Sequence, residues 1–184
     1  MKKVILYRRK REGRTNYKKR LLLLQSKKPR LIIRKTNKQI ILQIAEYSPG
    51  GDKILCGISS AFLRKIGWKY SCNSLPACYL AGLALGKKAA AKGIKEAIVD
   101  VGLQTPVAGS RIYAAVKGVI DAGMKVPASE EVFPSEDRLS GKNITAFFAS
   151  NKDNSQFANY KKQNLDAKKL AQDFETYKKK IMSE

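Results

Sequence analysis

The 184-residue chain contains no histidine, three cysteines, one tryptophan and only 15 acidic residues against 37 Lys and Arg. Without histidine, the commonest general base near neutral pH is missing, and so is the commonest metal ligand. Cys56, Cys72 and Cys78 are odd in number and show no CxxC spacing, so a zinc site would need all three thiolates and a carboxylate. Buried thiols in a reducing compartment are expected instead, with no metal and no cofactor. Long apolar runs are missing too. The longest, LPACYLAGLALG from Leu75 to Gly86, is too short to span a bilayer, and Val4 to Tyr7 is too short for the core of a secretory leader. The expectation is a cytosolic protein with no membrane partner and no small-molecule substrate.

What is present in excess is positive charge. The formal net charge is +22 and the sequence pI about 10.0, far beyond what solubility alone requires. Residues 1–38 hold sixteen Lys and Arg and one acid, Glu12, a net of +15, whereas the other 146 residues net only +7. That asymmetry describes a basic arm on a nearly ordinary domain and implies a polyanionic partner. Within the arm, Arg8, Arg9, Arg11, Arg14 and Arg20 can grip phosphate oxygens or stack on bases, Lys10, Lys18 and Lys19 add point charges, and Tyr7 and Tyr17 offer rings to unpaired bases. Arg30, Arg34, Lys35, Asn37 and Lys38 continue the track onto the next segment. Interleaved aromatic and guanidinium groups suit folded RNA better than a lipid surface.

Three divisions follow: a basic arm over 1–28, a core over 29–145, and a linker with a C-terminal helix over 146–184. After the breaker Ser26-Lys27-Lys28-Pro29, β-rich runs at about 30–35 and 39–47 flank a Thr36-Asn37-Lys38 turn, a hairpin signal. The turn Ser48-Pro49-Gly50-Gly51-Asp52 leads to a third strand at 53–58, making an antiparallel meander. Ser59 or Ser60 can cap a short helix ended by Gly67. Asn73-Ser74-Leu75-Pro76 opens a longer one, to about Lys92, with a capping side chain and Pro in the first turn. Its small residues allow close approach to a sheet or to RNA. Ile94 to Val101 reads as a buried strand and 110–122 as an amphipathic helix, so an α/β fold is expected, its meander extended by a parallel strand through a right-handed crossover. From Lys125 the chain reads as irregular, and Asn151 to Asn159 as a polar linker. Leu170, Phe174, Tyr177 and Ile181 then form a helical stripe that must dock on something.

Catalytic readings start from carboxylates. Asp100, at the end of the expected parallel strand, is where a metal-dependent nucleic-acid enzyme on an α/β core would anchor its ion, and this is the rival hypothesis. Asp52, Asp121, Glu130, Glu131, Glu136 and Asp137 are candidates by composition only. Phosphate-loop readings fail on spacing at Gly82–Lys88 and at Gly102–Arg111. The GSR at 109–111 nonetheless opens a helix whose free N–H groups and Arg111 could receive a backbone phosphate.

Four blocks carry a resemblance: RRKREGRTNYKKRLLLLQSKKPRLIIRKTNKQI, GWKYSCNSLPACYLAGLALGKKAAAKGIKEAIVDVGL, GSRIYAAVKGVIDAGMKVP and PSEDRLSGKNI. In this order, over about residues 7–144, they resemble the family of large-subunit ribosomal protein eighteen, archaeal type. The resemblance implies a non-enzymatic protein, ribosome-bound in the cytoplasm. Its partners would be 5S rRNA, the large-subunit (23S-type) rRNA and neighbouring ribosomal proteins of the central protuberance. It also implies that the arm, the first strand and turn, and Asn73 and Ser74 at the helix start lie against RNA. The chain departs from the family pattern at Gln39, where members often carry His, and at its three cysteines.

Overall fold

The computed structural model describes residues 5–150, 155–158, 160 and 165–183. Two short helices form the arm, α1 (Arg8–Arg11) and α2 (Tyr17–Gln25), with Asn16 capping α2 by accepting the Lys19 N–H. The meander follows as β1 (Arg30–Lys35), β2 (Ile40–Glu46) and β3 (Lys53–Ser59), then a 3-10 turn over Ser60–Arg64. Helix α3 (Leu75–Ala91), strand β4 (Ile98–Asp100) and helix α4 (Arg111–Asp121) complete the α/β unit. The sheet order is β3-β2-β1-β4, antiparallel except for β1 with β4, which is parallel as the crossover requires.

Strand alternation decides which face is covered. Leu31 and Ile33 of β1 and Ile40, Leu42 and Ile44 of β2 are fully buried and pack with α3 and α4, whereas Arg30, Ile32 and Arg34 alternate onto the other face. Thr36 closes the hairpin: its N–H and its hydroxyl both donate to the Gln39 carbonyl at 2.8 Å, and its hydroxyl oxygen receives the Gln39 N–H at 3.1 Å. Strand β4 is shorter than the expected Ile94 to Val101. Its register sets Ile98 opposite Arg30, so residues before Ala97 lie past the start of β1 and make only an isolated bridge, Glu96 with Lys125.

Ser74 caps α3 by accepting the Ala77 N–H, and the chain leaves the helix through Gly93 at φ +73°. The small residues of α3 serve neither the sheet nor RNA first. They admit α4. A Cβ on Gly82 would strike the Ala115 carbonyl, and one on Gly118 of α4 would strike the Tyr79 carbonyl.

The stretch from Lys125 onward, expected to be irregular, folds into helices α5 (Glu136–Ser140) and α6 (Lys142–Ser150). Glu136 and Asp137 favour the first turn of α5 through its dipole, and Gly141, at φ +82°, ends it where a side chain would hit Leu170. Residues 151–154 and 159 of the expected linker lie outside the described residues. The final helix, α7 (Leu170–Ser183), docks on α3: Leu170, Phe174 and Ile181 are buried, with the Phe174 and Tyr79 rings 5.6 Å apart. Lys87 of α3 donates to the Ile181 and Met182 carbonyls at its C-terminal end, at 3.0 and 2.6 Å, and the Tyr70 hydroxyl donates to Asp173 at 2.7 Å. All three cysteines are buried and free, and burial pushes the Cys78 thiol up to about 12.

The α3–α4 contact leaves no room for a methyl group. Gly118→Ala should lower the unfolding free energy in urea by about 3 kcal/mol, the upper range for overpacking. Gly50→Ala, which points into open space, should change it by less than about 0.5 kcal/mol.

Candidate nucleic-acid interface

The cations of the arm and sheet fall into two groups according to what the fold sets beside them. One group is neutralised internally. Arg30, on β1 next to Pro29, is 1 % exposed, and its guanidinium lies between two carboxylates. One terminal nitrogen is 2.9 Å from Asp100 Oδ2, and the other is 2.6 Å from Asp52 Oδ2. Arg20 of α2 reaches the outer side of Asp52 and donates to both of its oxygens, at 2.9 and 2.8 Å. Arg34 completes the chain at the other end, donating to Asp100 Oδ1 at 3.1 Å and to the Asp100 carbonyl at 2.7 Å.

This series, Arg20–Asp52–Arg30–Asp100–Arg34, joins the arm, the β2–β3 turn, β1 and β4. It corrects two expectations. Arg30, read as part of an RNA-facing track, has no surface to offer a phosphate, and Arg20 and Arg34 are already paired. Asp100, the anchor of the enzymatic alternative, receives Arg30, Arg34 and the Gly102 N–H, the last at 2.9 Å, so both of its oxygens are committed to the fold. The sequence could not show this, because Asp100 and Arg30 are seventy residues apart and each looks like a surface charge at its own position.

The second group is exposed. Arg8, Arg9, Lys10, Arg11, Arg14, Lys18 and Lys19 all project into solvent. Glu12, the single acid among them, lies 3.6 Å from Arg8 and 3.1 Å from Arg14, but those arginines are 77 % and 67 % exposed and such contacts hold little energy. Arg9 donates to the Thr15 hydroxyl at 2.9 Å, and the exposed Tyr7 ring packs 5.3 Å from the half-buried Tyr17 ring.

A third cluster gathers where the hairpin turn meets the starts of α3 and α4. Asn73 donates from its side chain to the Asn37 carbonyl at 2.8 Å, and Arg111 approaches the Asn73 carbonyl at 3.5 Å. Asn37, Asn73, Ser74 and Arg111 therefore share one edge of the molecule. Beside them Thr36, Asn37, Lys38, Gln39, Ala61, Arg64 and Cys72 line an open cleft of about 480 Å³. Lys35 stands exposed at the end of β1, where its backbone is fixed by Gln104. Arg64 was not among the residues singled out from the sequence. Its place is set at a distance, by the buried Ser60 hydroxyl, which receives the Ile40 N–H and donates to the Cys72 carbonyl.

Together these features define an α/β protein that holds a basic arm against a mixed sheet, with the arm's cations turned to solvent and a further polar and cationic cluster at the hairpin turn, the arrangement of a polyanion-binding structural protein. Over residues 2–96 the chain matches the family described as ribosomal large subunit proteins 60S L5 and 50S L18. That match spans more than half of the sequence, and the chain belongs to this family. It is thus a large-subunit ribosomal protein, RNA-binding and structural in class. Among the described residues, no helix is long and apolar enough to cross a membrane, and no group of three or more Cys, Asp or Glu could hold a metal ion.

Asp100→Asn should cost about 3–5 kcal/mol in urea unfolding, because it removes one of the two charges that neutralise a buried guanidinium. Asp52 is held below its ordinary value of 3.8, first by the hydrogen bonds from Arg20 and then, against a burial penalty, by Arg30. A folded-state value below the unfolded one means that its contribution is complete at neutral pH and is lost as the pH falls through that lowered value. The urea midpoint of the wild type should therefore fall more steeply below about pH 4 than that of Asp52→Asn, and parallel acid profiles would contradict the pairing.

Proposed function

We propose that this protein binds 5S rRNA and attaches it to the large-subunit (23S-type) rRNA in the central protuberance, beside neighbouring ribosomal proteins, ribosome-bound in the cytoplasm. The RNA-facing residues are the exposed Arg8, Arg9, Lys10, Arg11, Arg14, Lys18 and Lys19 of the arm and Lys35, Asn37 and Lys38 of the hairpin, with the half-buried Tyr17, Asn73, Ser74 and Arg111, and the exposed Arg64 added. Arg34, 39 % exposed, can offer an RNA only its free side, and Arg20 contributes through its field more than through direct contact.

One observation carries the reading. The fold commits Asp52 and Asp100 to Arg20, Arg30 and Arg34 and leaves the exposed arm cations without comparable partners, so their charge is available to a phosphate backbone. Rigid positions at the hairpin and helix starts supply amide and hydroxyl groups suited to splayed bases and ribose, the features by which folded RNA is distinguished from duplex DNA.

With about eight phosphates neutralised at 0.7 to 0.9 each, log affinity for a 5S rRNA transcript should fall against log salt with a slope of about −6 to −7. Replacing Arg8, Arg9, Arg11 and Arg14 by Gln should shallow that slope by about 3 units while leaving thermal unfolding unchanged. An unaltered slope would exclude the arm from the interface, and equal competition by duplex DNA would exclude recognition of RNA.

A further inference from the structure

Helix α2 has little apolar anchorage. It contains four consecutive leucines, yet none of its residues is buried, Leu21 and Leu22 are 60 % and 65 % exposed, and no side chain of the helix belongs to the hydrophobic core. Its C-terminal end is tied to β1 by the covalent chain through Lys27, which adopts the left-handed conformation at φ +55°. The exposed Lys28–Glu96 ion pair, at 2.7 Å, lies on the same connection. A rod fixed at one end swivels, and a second fixed point gives it a direction. The two-pronged contact of Arg20 with Asp52 is that second point, about 7.5 Å along the helix from Gln25.

Asp52 is itself immobilised. It follows a turn in which the Gly51 N–H donates to the Ser48 carbonyl at 3.0 Å, it immediately precedes β3, and one of its oxygens lies 2.6 Å from the buried Arg30. The carboxylate is therefore anchored to the sheet through β3 and Arg30, while Arg20 is part of the arm.

We propose that Asp52 is a positioning residue for RNA binding: it meets no RNA, but through Arg20 it fixes the direction in which α2 presents Lys18, Lys19 and the arginines of α1. This rests on the RNA-binding reading above. It has a consequence opposite to charge counting. Removing an acid from a protein of net charge +22 should leave binding to a polyanion equal or tighter if only phosphate neutralisation matters. If Asp52 orients the arm, the same change weakens binding, because apparent affinity falls in proportion to the fraction of molecules whose arm points correctly.

The test uses the full chain and its Asp52→Asn and Arg20→Ala variants, read first without RNA. Hydrogen exchange at the amides of Leu21–Gln25 should accelerate about tenfold in both variants, with α3 protection retained and the double variant no faster than either single one. Affinity for a 5S rRNA transcript should then fall about tenfold in Asp52→Asn, if the arm keeps its direction a tenth of the time. Arg20→Ala should lose clearly more affinity than Lys19→Ala, which removes the same charge from the same helix without touching Asp52.

Unchanged α2 exchange would overturn the tether. Faster exchange with equal or tighter RNA binding would overturn the positioning role while leaving the RNA reading intact. Should Asp52→Asn lose α3 protection, the comparison of Arg20→Ala with Lys19→Ala decides, since Arg20→Ala leaves the Asp52–Arg30 pair in place, and equal losses would refute the proposal. If the wild type itself fails to bind the transcript, the functional reading falls with the proposal, and the exchange data alone then describe the tether.

Discussion

A guanidinium closed inside a sheet cannot be left with one counter-charge at a distance, and Arg30 is such a group. Its burial is tolerable only because Asp52 and Asp100 meet it from two sides, Asp100 by a hydrogen bond and Asp52 by an ion contact at 2.6 Å. Each carboxylate then has an outward oxygen to satisfy, and Arg20 and Arg34 supply the donors. Five alternating charges so fasten four separate stretches of chain. The parallel strand is held to β1 at Ile98–Asp100, a pairing only three residues long, and the first turn of α2 is brought down onto the sheet.

That internal neutralisation sorts the chain's excess positive charge. Cations near the sheet are absorbed by Asp52 and Asp100, and the net charge of the outer arm is left facing solvent. Behind the sheet the organisation is steric. Glycines at 82, 86 and 118 let α3 and α4 approach to backbone contact, and α7 covers the remaining flank of α3 through Leu170, Phe174 and Ile181. Trp68 packs edge to face on both Tyr70, two residues on, and Tyr177 of α7, which ties the C-terminal helix into the same core as the sheet.

Much of this was legible in the sequence where the signal is local. The hairpin was marked by Thr36-Asn37-Lys38 between β-branched runs, α3 by Ser74 and Pro76 at its start and Gly93 past its end, and α7 by a stripe of four large residues. Buried thiols followed from composition. The helical folding of α2 was hidden by its basic character, because Lys18, Lys19 and Arg20 read as a charge run before they read as a helix capped by Asn16. Helices α5 and α6 were obscured by prolines and short polar stretches, their order depending on Gly141 packing against Leu170 nearly thirty residues on. The site divides in the same way. Exposed arm cations could be named from sequence, but the burial of Arg30, the roles of Asp52 and Asp100 and the place of Arg64 arise from contacts between distant segments.

In the proposed complex the arm and hairpin cations, left unmatched by the carboxylates that neutralise Arg20, Arg30 and Arg34, are the ones that meet RNA. Ultraviolet cross-linking of the complex with a 5S rRNA transcript, followed by mass spectrometry of the attached peptides, tests this directly. Adducts should map to residues 7–19, to the turn and cleft at 35–38 and 64, and to the helix starts at 73–74 and 111. Adducts concentrated instead on Lys178, Lys179 and Lys180 of the C-terminal helix, with the arm unmodified, would contradict the claim.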